Sequence, residues 1–551
     1  SSDVCSSDLA IIAYDAITKN TPYLHPVEIL PKTEALKITD PFAPIQKRTW
    51  IYDEAFSSQL VYLYAEIRER YNGEIQQLFE HKGHVREDLK KVGYDKKSLT
   101  IGTIDIGAGT TDVMVCTYKQ AGNNSSTLVP IPQYWDSFYL AGDDIMRQLV
   151  LNIVIEGKDR PSPMLGGISS AIKHRISALT DEQLKQHPVL QQMPEYNEMV
   201  NTIVRCLDDN EKQQLKEEFA GELVHSFFGN DTSLMSFRDR RCRLYFNTHI
   251  SIHIIQLWLE LLRQHSPSRL YTFEDIFSEE MSPSQYLLDY FYQHFGFRFE
   301  ELNWRFDPQE VSNIIITTME PLMKQIAQIL FVQQCDIIVL SGRPSSLEPI
   351  TEFFIKYLPV SPDRLICLND YHVGNWFPTA NASGFFMDQK TVVAVGAMIG
   401  YMASPQAKGL SGLVLDLSEL IKRMTSTAKY IGEYNTTSCL VSNSLLKPKV
   451  TSATINTAQF PYFIGCKQFD APYYQARPLY AIYNHSGRTP LTIYISRDYY
   501  NNREIITIDD ITDSDNNNIN KNKVELVQQS IADDGQYWLD KGEFTLTIIK
   551  N

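Results

Sequence analysis

The apolar and polar positions fall into runs with different periods, and the clearest lies between Thr103 and Val115. An apolar run ends on Asp105, a Gly107-Ala108-Gly109-Thr110-Thr111 corner follows, and from Val113 to Lys119 β-branched and apolar residues resume. This predicts strand, tight turn, strand, with Asp105 and Asp112 flanking the turn. After an Ala121-Gly122-Asn123-Asn124 turn a third strand is expected from Thr127 to Tyr134. Leu140-Ala141-Gly142-Asp143-Asp144 then opens a helix through Leu149 and Val150. Upstream, Phe56, Leu60, Leu63 and Ile67 recur at spacings of three and four and predict a helix from Asp53.

The same reading predicts an amphipathic helix from about Thr318 to Phe331, a buried strand from Asp336 to Leu340 and a Ser341-Gly342 corner. It continues with a helix from Leu347 to Tyr357, a strand from Leu365 to Leu368 and a helix after Met387. Between these halves, 150–307 is rich in Glu, Gln, Lys and Leu, with polar loops near Pro161-Ser162-Pro163 and Ser266-Pro267-Ser268, and reads as a helical insertion. After Gly409 the composition shifts to Thr, Tyr, Ile, Asn and Val. Runs at Leu479–Tyr483, Leu491–Ile495 and Phe544–Ile549 predict strands of a β-rich C-terminal domain, and the Asp513–Asn518 tract reads as an exposed loop.

The expected fold class is therefore α/β with a helical insertion and a β-rich C-terminal domain. The expected divisions are 10–100, 101–150 with 311–405, 151–310 and 406–551. The first nine residues, Ser1 to Leu9, read like a translated sequencing adapter and are set aside as an artefact.

Composition narrows the partners. A formal net charge of −15 over 551 residues argues against nucleic acid or an anionic membrane as the main one. The longest apolar stretch, around Val392 to Ala403, falls well short of the ~20 residues that span a bilayer. Eight cysteines without a Cys-x-x-Cys pair read as reduced thiols, mostly in the core, of a cytoplasmic protein.

The corner at Gly107 and Gly109 carries the candidate chemistry. Glycines let backbone N–H groups approach a polyphosphate. Asp105 and Asp112 are hard oxygen donors suited to the waters around Mg²⁺, and the Thr110 hydroxyl can serve a terminal phosphate or the attacking water. The same pattern fits an ordinary hairpin with two solvated aspartates. Elsewhere, the basic run Arg238–Arg243 reads as a solvated helix face more than as a border of a ligand. His249 and His253 have zinc spacing, but Ile250 stands where a zincin needs Glu, so no metal site is assigned there.

Three segments in order, DIGAGTTDVMV with LAGDDIMRQL, DIIVLSGRPS and Thr391–Gly400, resemble the second phosphate loop, the adenosine loop and a connecting helix of the actin, sugar-kinase and DnaK-type chaperone ATPase superfamily. Within it the wording is most similar to the bacterial SrfB family of putative virulence factors, through Tyr52-Asp53-Glu54-Ala55, Gln59–Tyr64, DIGAGTTD, LSGRPS, Tyr430-Ile431-Gly432 and Phe460–Gly465. The resemblance implies an actin-like, ribonuclease-H-like ATPase lobe that takes ATP and Mg²⁺. Asp105 and Asp112 would organise the metal, with Thr110 as a third catalytic residue. Gly107, Ala108, Gly109, Thr110, Thr111, Gly142, Ser341, Gly342 and Arg343 would line the nucleotide. Ser341 replaces the family's first glycine and Pro344 follows Arg343, which leaves an adenine-stacking role for Arg343 open.

The helix from Asp53 then corresponds to the first connecting helix. The first phosphate loop is expected before the residues present, so the chain alone is expected not to hydrolyse ATP. The alternative is a nucleotide-dependent scaffold or assembly protein with little turnover, and either reading admits a protein client.

Overall fold

The computed structural model describes residues 54–122, 126–157, 167–187, 194–229, 235–278, 282–295, 298–358, 360–387, 390–405, 407, 409–410, 412–424, 426–500, 503–529 and 544. The chain divides into two compact units, Ser1–Gly142 with Glu320–Ile531 and Asp143–Met319 with Ala532–Asn551.

The first unit is built on a seven-stranded sheet. Its strands are β1 (His84–Val85), β2 (Lys97–Ile106), β3 (Thr111–Gln120), β4 (Thr127–Phe138), β5 (Ile337–Ser341), β6 (Leu365–Cys367) and β7 (Val414–Leu415). The order is β6-β5-β2-β3-β4-β7, with β1 against the start of β2. Strands β2, β3 and β4 form an antiparallel meander, whereas β5 lies parallel to β2 and β6 parallel to β5. The switch follows from connection length: short turns join the meander, and long helical crossovers lead into β5 and β6.

Strand β4 runs on to Phe138, past the expected end at Tyr134. Alternation explains the extension, because Tyr134, Asp136 and Phe138 are buried on one face while Trp135 and Ser137 are half-buried on the other. The expected helix from about Thr318 starts ten residues earlier, as α3 (Pro308–Val332), and contains Pro321. Val311, Ile315, Met319, Leu322, Ile326 and Leu330 are all buried along it, and that packing outweighs the hydrogen bond lost at the proline.

Helix α1 (Glu54–Ala65), helix α2 (Gly142–Leu149), α3 and helix α4 (Lys390–Met402) flank the strands in sequence. Every residue of α1 from Ala55 to Ala65 is buried. It shares one core with Leu99, Ile101, Met114, Cys116 and Tyr118 of the sheet and Val392, Val395 and Ile399 of α4. Gln59 pins it there: its amide donates to the Ile101 and Met114 carbonyls at 3.2 and 3.0 Å and accepts from the Tyr118 hydroxyl at 2.8 Å. Gly396 lets α4 approach, since a Cβ there would lie 1.9 Å from the Ser57 carbonyl oxygen.

The C-terminal part of this unit is β-rich, as expected. Strands β8 (Tyr430–Asn435), β9 (Leu440–Leu446), β10 (Ser452–Thr457), β11 (Tyr462–Lys467), β12 (Arg477–Asn484), β13 (Leu491–Tyr500), β14 (Arg503–Asp513) and β15 (Val524–Gln528) form sheets β9-β8-β11-β12-β15 and β10-β13-β14. Both sheets contribute to one aliphatic core, with Ile431, Ile464 and Ile482 from the first and Ile455, Ile493 and Ile506 from the second. The Asp513–Asn518 tract is a turn in which Asp513 accepts from the Asp515 and Asn517 N–H groups at 3.0 and 2.9 Å.

The second unit is mainly helical, with Asp209–Phe228, Phe237–Phe246, Ile252–Arg263 and Gln285–Phe295 as longer helices and a ribbon of Arg269–Tyr271 against Trp304–Phe306. Phe227, Phe228, Phe246, Phe291 and Phe295 interlock at centroid distances of 4.8 to 6.4 Å. Of the strand expected over Phe544–Ile549 only Phe544 lies within the described residues, where its N–H donates to the Phe228 carbonyl at 2.9 Å. The expected Pro161–Pro163 loop and the segment before residue 54 lie outside them.

Among the described residues seven cysteines are free: Cys116, Cys242 and Cys466 are buried, and Cys206, Cys335, Cys367 and Cys439 are half-buried, so fewer of these sit in the core than expected. No described helix is long and apolar enough to cross a membrane.

Candidate functional site

Strand register assembles the site. Asp105 is the cross-strand partner of Asp112 on β3 and of Ser341 on β5, and Asp112 is the partner of Ser137 on β4. Ser341, Asp105, Asp112 and Ser137 therefore form one row across four strands, on one face at one end of the sheet. Farther along the same face, Ile101, Met114 and Val339 pack beneath α1, so the polar row is the open end of an apolar surface.

Hydrogen bonds tie the row together. Asp105 is 6% exposed, and its Oδ2 accepts from the Ser341 hydroxyl at 3.2 Å and from Ser58 of α1 at 3.3 Å. Asp112 accepts from the Thr110 hydroxyl at 3.0 Å and, through its other oxygen, from Ser137. Burial pushes the Asp105 carboxyl up to about 7, assisted by the negative charges of Glu54 and Asp112 and opposed by the two serine hydroxyls. Burial also raises Asp112, against its hydroxyl donors and the positive charge of Arg477. Two adjacent carboxyls held above their ordinary range mark a place where added positive charge would be stabilised.

The turn itself is closed by the Gly107 N–H, which donates to the Thr110 carbonyl at 2.8 Å. The Gly142 N–H donates to the Gly107 carbonyl at 3.0 Å, and the Thr111 hydroxyl donates to the Leu140 carbonyl at 2.7 Å, seating the start of α2 on the turn. A Cβ on Gly142 would come within 3.0 Å of the Gly107 carbonyl oxygen and 2.8 Å of Pro344. Gly342 has φ +85°, and a Cβ on it would lie 2.0 Å from the Ile106 carbonyl oxygen. These glycines thus bring the 107–110, 140–142 and 341–344 segments together. The sequence-derived residues Asp105, Gly107, Ala108, Thr110, Thr111, Asp112, Gly142, Ser341 and Gly342 accordingly converge, and Gly109 and Arg343 lie in those same two turns.

Other contributors carry no motif. Ser58 arrives from α1, Ser137 from the far end of β4, and Arg477 from the C-terminal sheet through a 3.5 Å ion pair with Asp136. Ser137 is the one that periodicity could have revealed, because the β4 alternation continues past Tyr134.

Among the described residues no group of three or more His, Cys, Asp or Glu converges to hold a metal. His249 and His253 face Tyr245 and Phe277. The basic run is spent locally: Arg238 lies over Tyr286 and Tyr290, and buried Arg243 donates to the Phe227 and Gly229 carbonyls at 3.2 and 3.1 Å.

The family model described as Virulence factor SrfB matches residues 30–545, and the chain belongs to that family. None of the curated proteins compared matches it.

Proposed function

We propose that this SrfB-family chain carries the metal- and phosphate-facing half of an ATP site of the actin, sugar-kinase and DnaK-type chaperone kind. The observation that carries the reading is the row Ser341, Asp105, Asp112 and Ser137, with both carboxyls raised by burial and Asp105 also by the charge of Asp112. The strand order supports it: an antiparallel meander whose first strand pairs in parallel with the strand after a long crossover is the arrangement expected of a ribonuclease-H-like lobe. Two carboxylates suit a cation that keeps most of its waters, as Mg²⁺ does.

In this reading Asp105 and Asp112 would hold Mg²⁺ through water, and the ion would supply charge neutralisation of the polyphosphate. Ser58 and Ser341 fix the Asp105 carboxyl, while Thr110 and Ser137 fix that of Asp112. The 107–111 turn, with Gly142 seated against it, faces the phosphates, and Ser341, Gly342 and Arg343 flank the nucleoside.

A second reading, a nucleotide-dependent scaffold with little hydrolysis, is favoured by one observation: both hydroxyls beside the turn are already committed to Asp112. Calorimetric titration with Mg-ATP and a phosphate-release assay, run on the wild type, Asp105→Ala and Asp112→Ala, separate the two. Binding that weakens at least tenfold in both variants supports the site, and phosphate release by the wild type would rule out the scaffold. Absence of binding by the wild type would leave the row a purely structural feature.

A further inference from the structure

The carboxylate row is held from behind. Along β4 the residues alternate, so Ser137 faces Asp112 while its neighbours Asp136 and Phe138 face the opposite side. On that opposite side they meet the C-terminal part of the same unit. The Tyr474 hydroxyl donates to Asp136, and the Tyr134 and Tyr474 hydroxyls are 2.6 Å apart. The Arg477 guanidinium pairs with Asp136 at 3.5 Å and donates to the Thr427 hydroxyl. Phe469 stacks on Tyr134 at 5.8 Å, and Phe138 packs against Tyr474 at 5.9 Å.

Asp136 is 7% exposed, and a buried carboxylate persists where its charge and its lone pairs are both satisfied. The side-chain groups that satisfy it come from 427–477, and the Ser137 N–H of the same strand adds a donor at 3.0 Å. A single peptide link then separates this clamp from Ser137, the donor to Asp112.

We infer that Tyr474 and Arg477 are positioning residues: the β-rich C-terminal part clamps the end of β4 through Asp136 and thereby sets Ser137 on Asp112 and the geometry of the carboxylate pair. The inference deepens the nucleotide reading for its functional consequence, but the clamp itself stands without it. It also gives the C-terminal part a means of influencing the site, because any shift of the 469–477 segment is transmitted through one residue of β4.

The test uses the whole chain as Arg477→Gln, Arg477→Lys and the milder Tyr474→Phe. Hydrogen exchange without nucleotide is followed in peptides covering 107–112 and 137–142. The clamp predicts at least tenfold faster exchange there in Arg477→Gln, a smaller rise in Tyr474→Phe and partial rescue in Arg477→Lys, with β13 and β14 unchanged. Unaltered exchange in both Arg477→Gln and Tyr474→Phe would overturn it, whatever nucleotide does.

In a second arm, Mg-ADP affinity is measured by calorimetric titration. Where the wild type binds, Arg477→Gln is expected to bind about tenfold more weakly, with partial rescue in Arg477→Lys. Equal affinity in Arg477→Gln would refute the functional link. A wild type that binds nothing would remove the nucleotide reading alone, leaving the exchange arm to decide the clamp.

Discussion

Asp105 illustrates how one residue ties the fold to the chemistry. An isolated carboxyl titrates near 4, and burial beside Glu54 and Asp112 lifts this one to about 7. The folded chain therefore keeps a proton between pH 4 and 7 that the unfolded chain has released. Its contribution to stability is complete below pH 4, declines as pH rises to 7 and is absent above. At about 1.4 kcal/mol per unit the loss approaches roughly 4 kcal/mol as an upper bound.

Urea midpoints of the wild type should accordingly fall across this interval. Asp105→Asn, which keeps the shape and removes the titration, should flatten the profile and be the more stable protein at pH 8. An identical slope in the two proteins would show that Asp105 is not held protonated. Mg²⁺ should act oppositely on the wild type, stabilising most at pH 8, because a cation relieves the ionised pair that folding penalises.

Among elements, the pair α1 and α4 makes the sharpest claim. Alanine ordinarily gains up to about 1 kcal/mol over glycine inside a helix. At Gly396 the added Cβ would sit 1.9 Å from the Ser57 carbonyl oxygen, so the helices must part. Overpacking of this kind costs about 3 kcal/mol, which reverses the sign. Gly396→Ala should thus lower thermal stability, and a neutral or stabilising result would contradict the contact. It should also weaken the Ser58 bond to Asp105, which a pH profile of the variant would register.

Both helices were legible in the sequence, one from its apolar spacing and the other from its small residues. The turn between β2 and β3 was legible too, because glycines and flanking aspartates lie within a few positions. Ser58, Ser137 and Arg477 were not, since each reaches the row through register or packing between distant segments, and an isolated serine or arginine has no pattern to distinguish it. The length of α3 was missed because Pro321 and the local propensities are weaker than the buried stripe from Val311 to Leu330.

At the scale of the whole chain, two cores make two sets of stability determinants. In the mainly helical unit Arg243 is 2% exposed and donates to the Phe227 and Gly229 carbonyls, at the C-terminal end of the Asp209–Phe228 helix. Helix ends carry partial negative charge and unpaired carbonyls, so a guanidinium there both caps and neutralises. Arg243→Ala would leave these acceptors buried without their donor, at a cost of about 3 kcal/mol. Amide exchange of the Asp209–Phe228 and Ile252–Arg263 helices reports this unit, and that of β2, β3 and β5 reports the other. With separate cores, the variant should speed exchange in those helices and leave exchange of the sheet near its wild-type rate. Gly396→Ala should do the reverse. If either substitution lowered protection in both units together, the chain would unfold as one cooperative body, and the carboxylate row could not be read apart from the helical unit's stability.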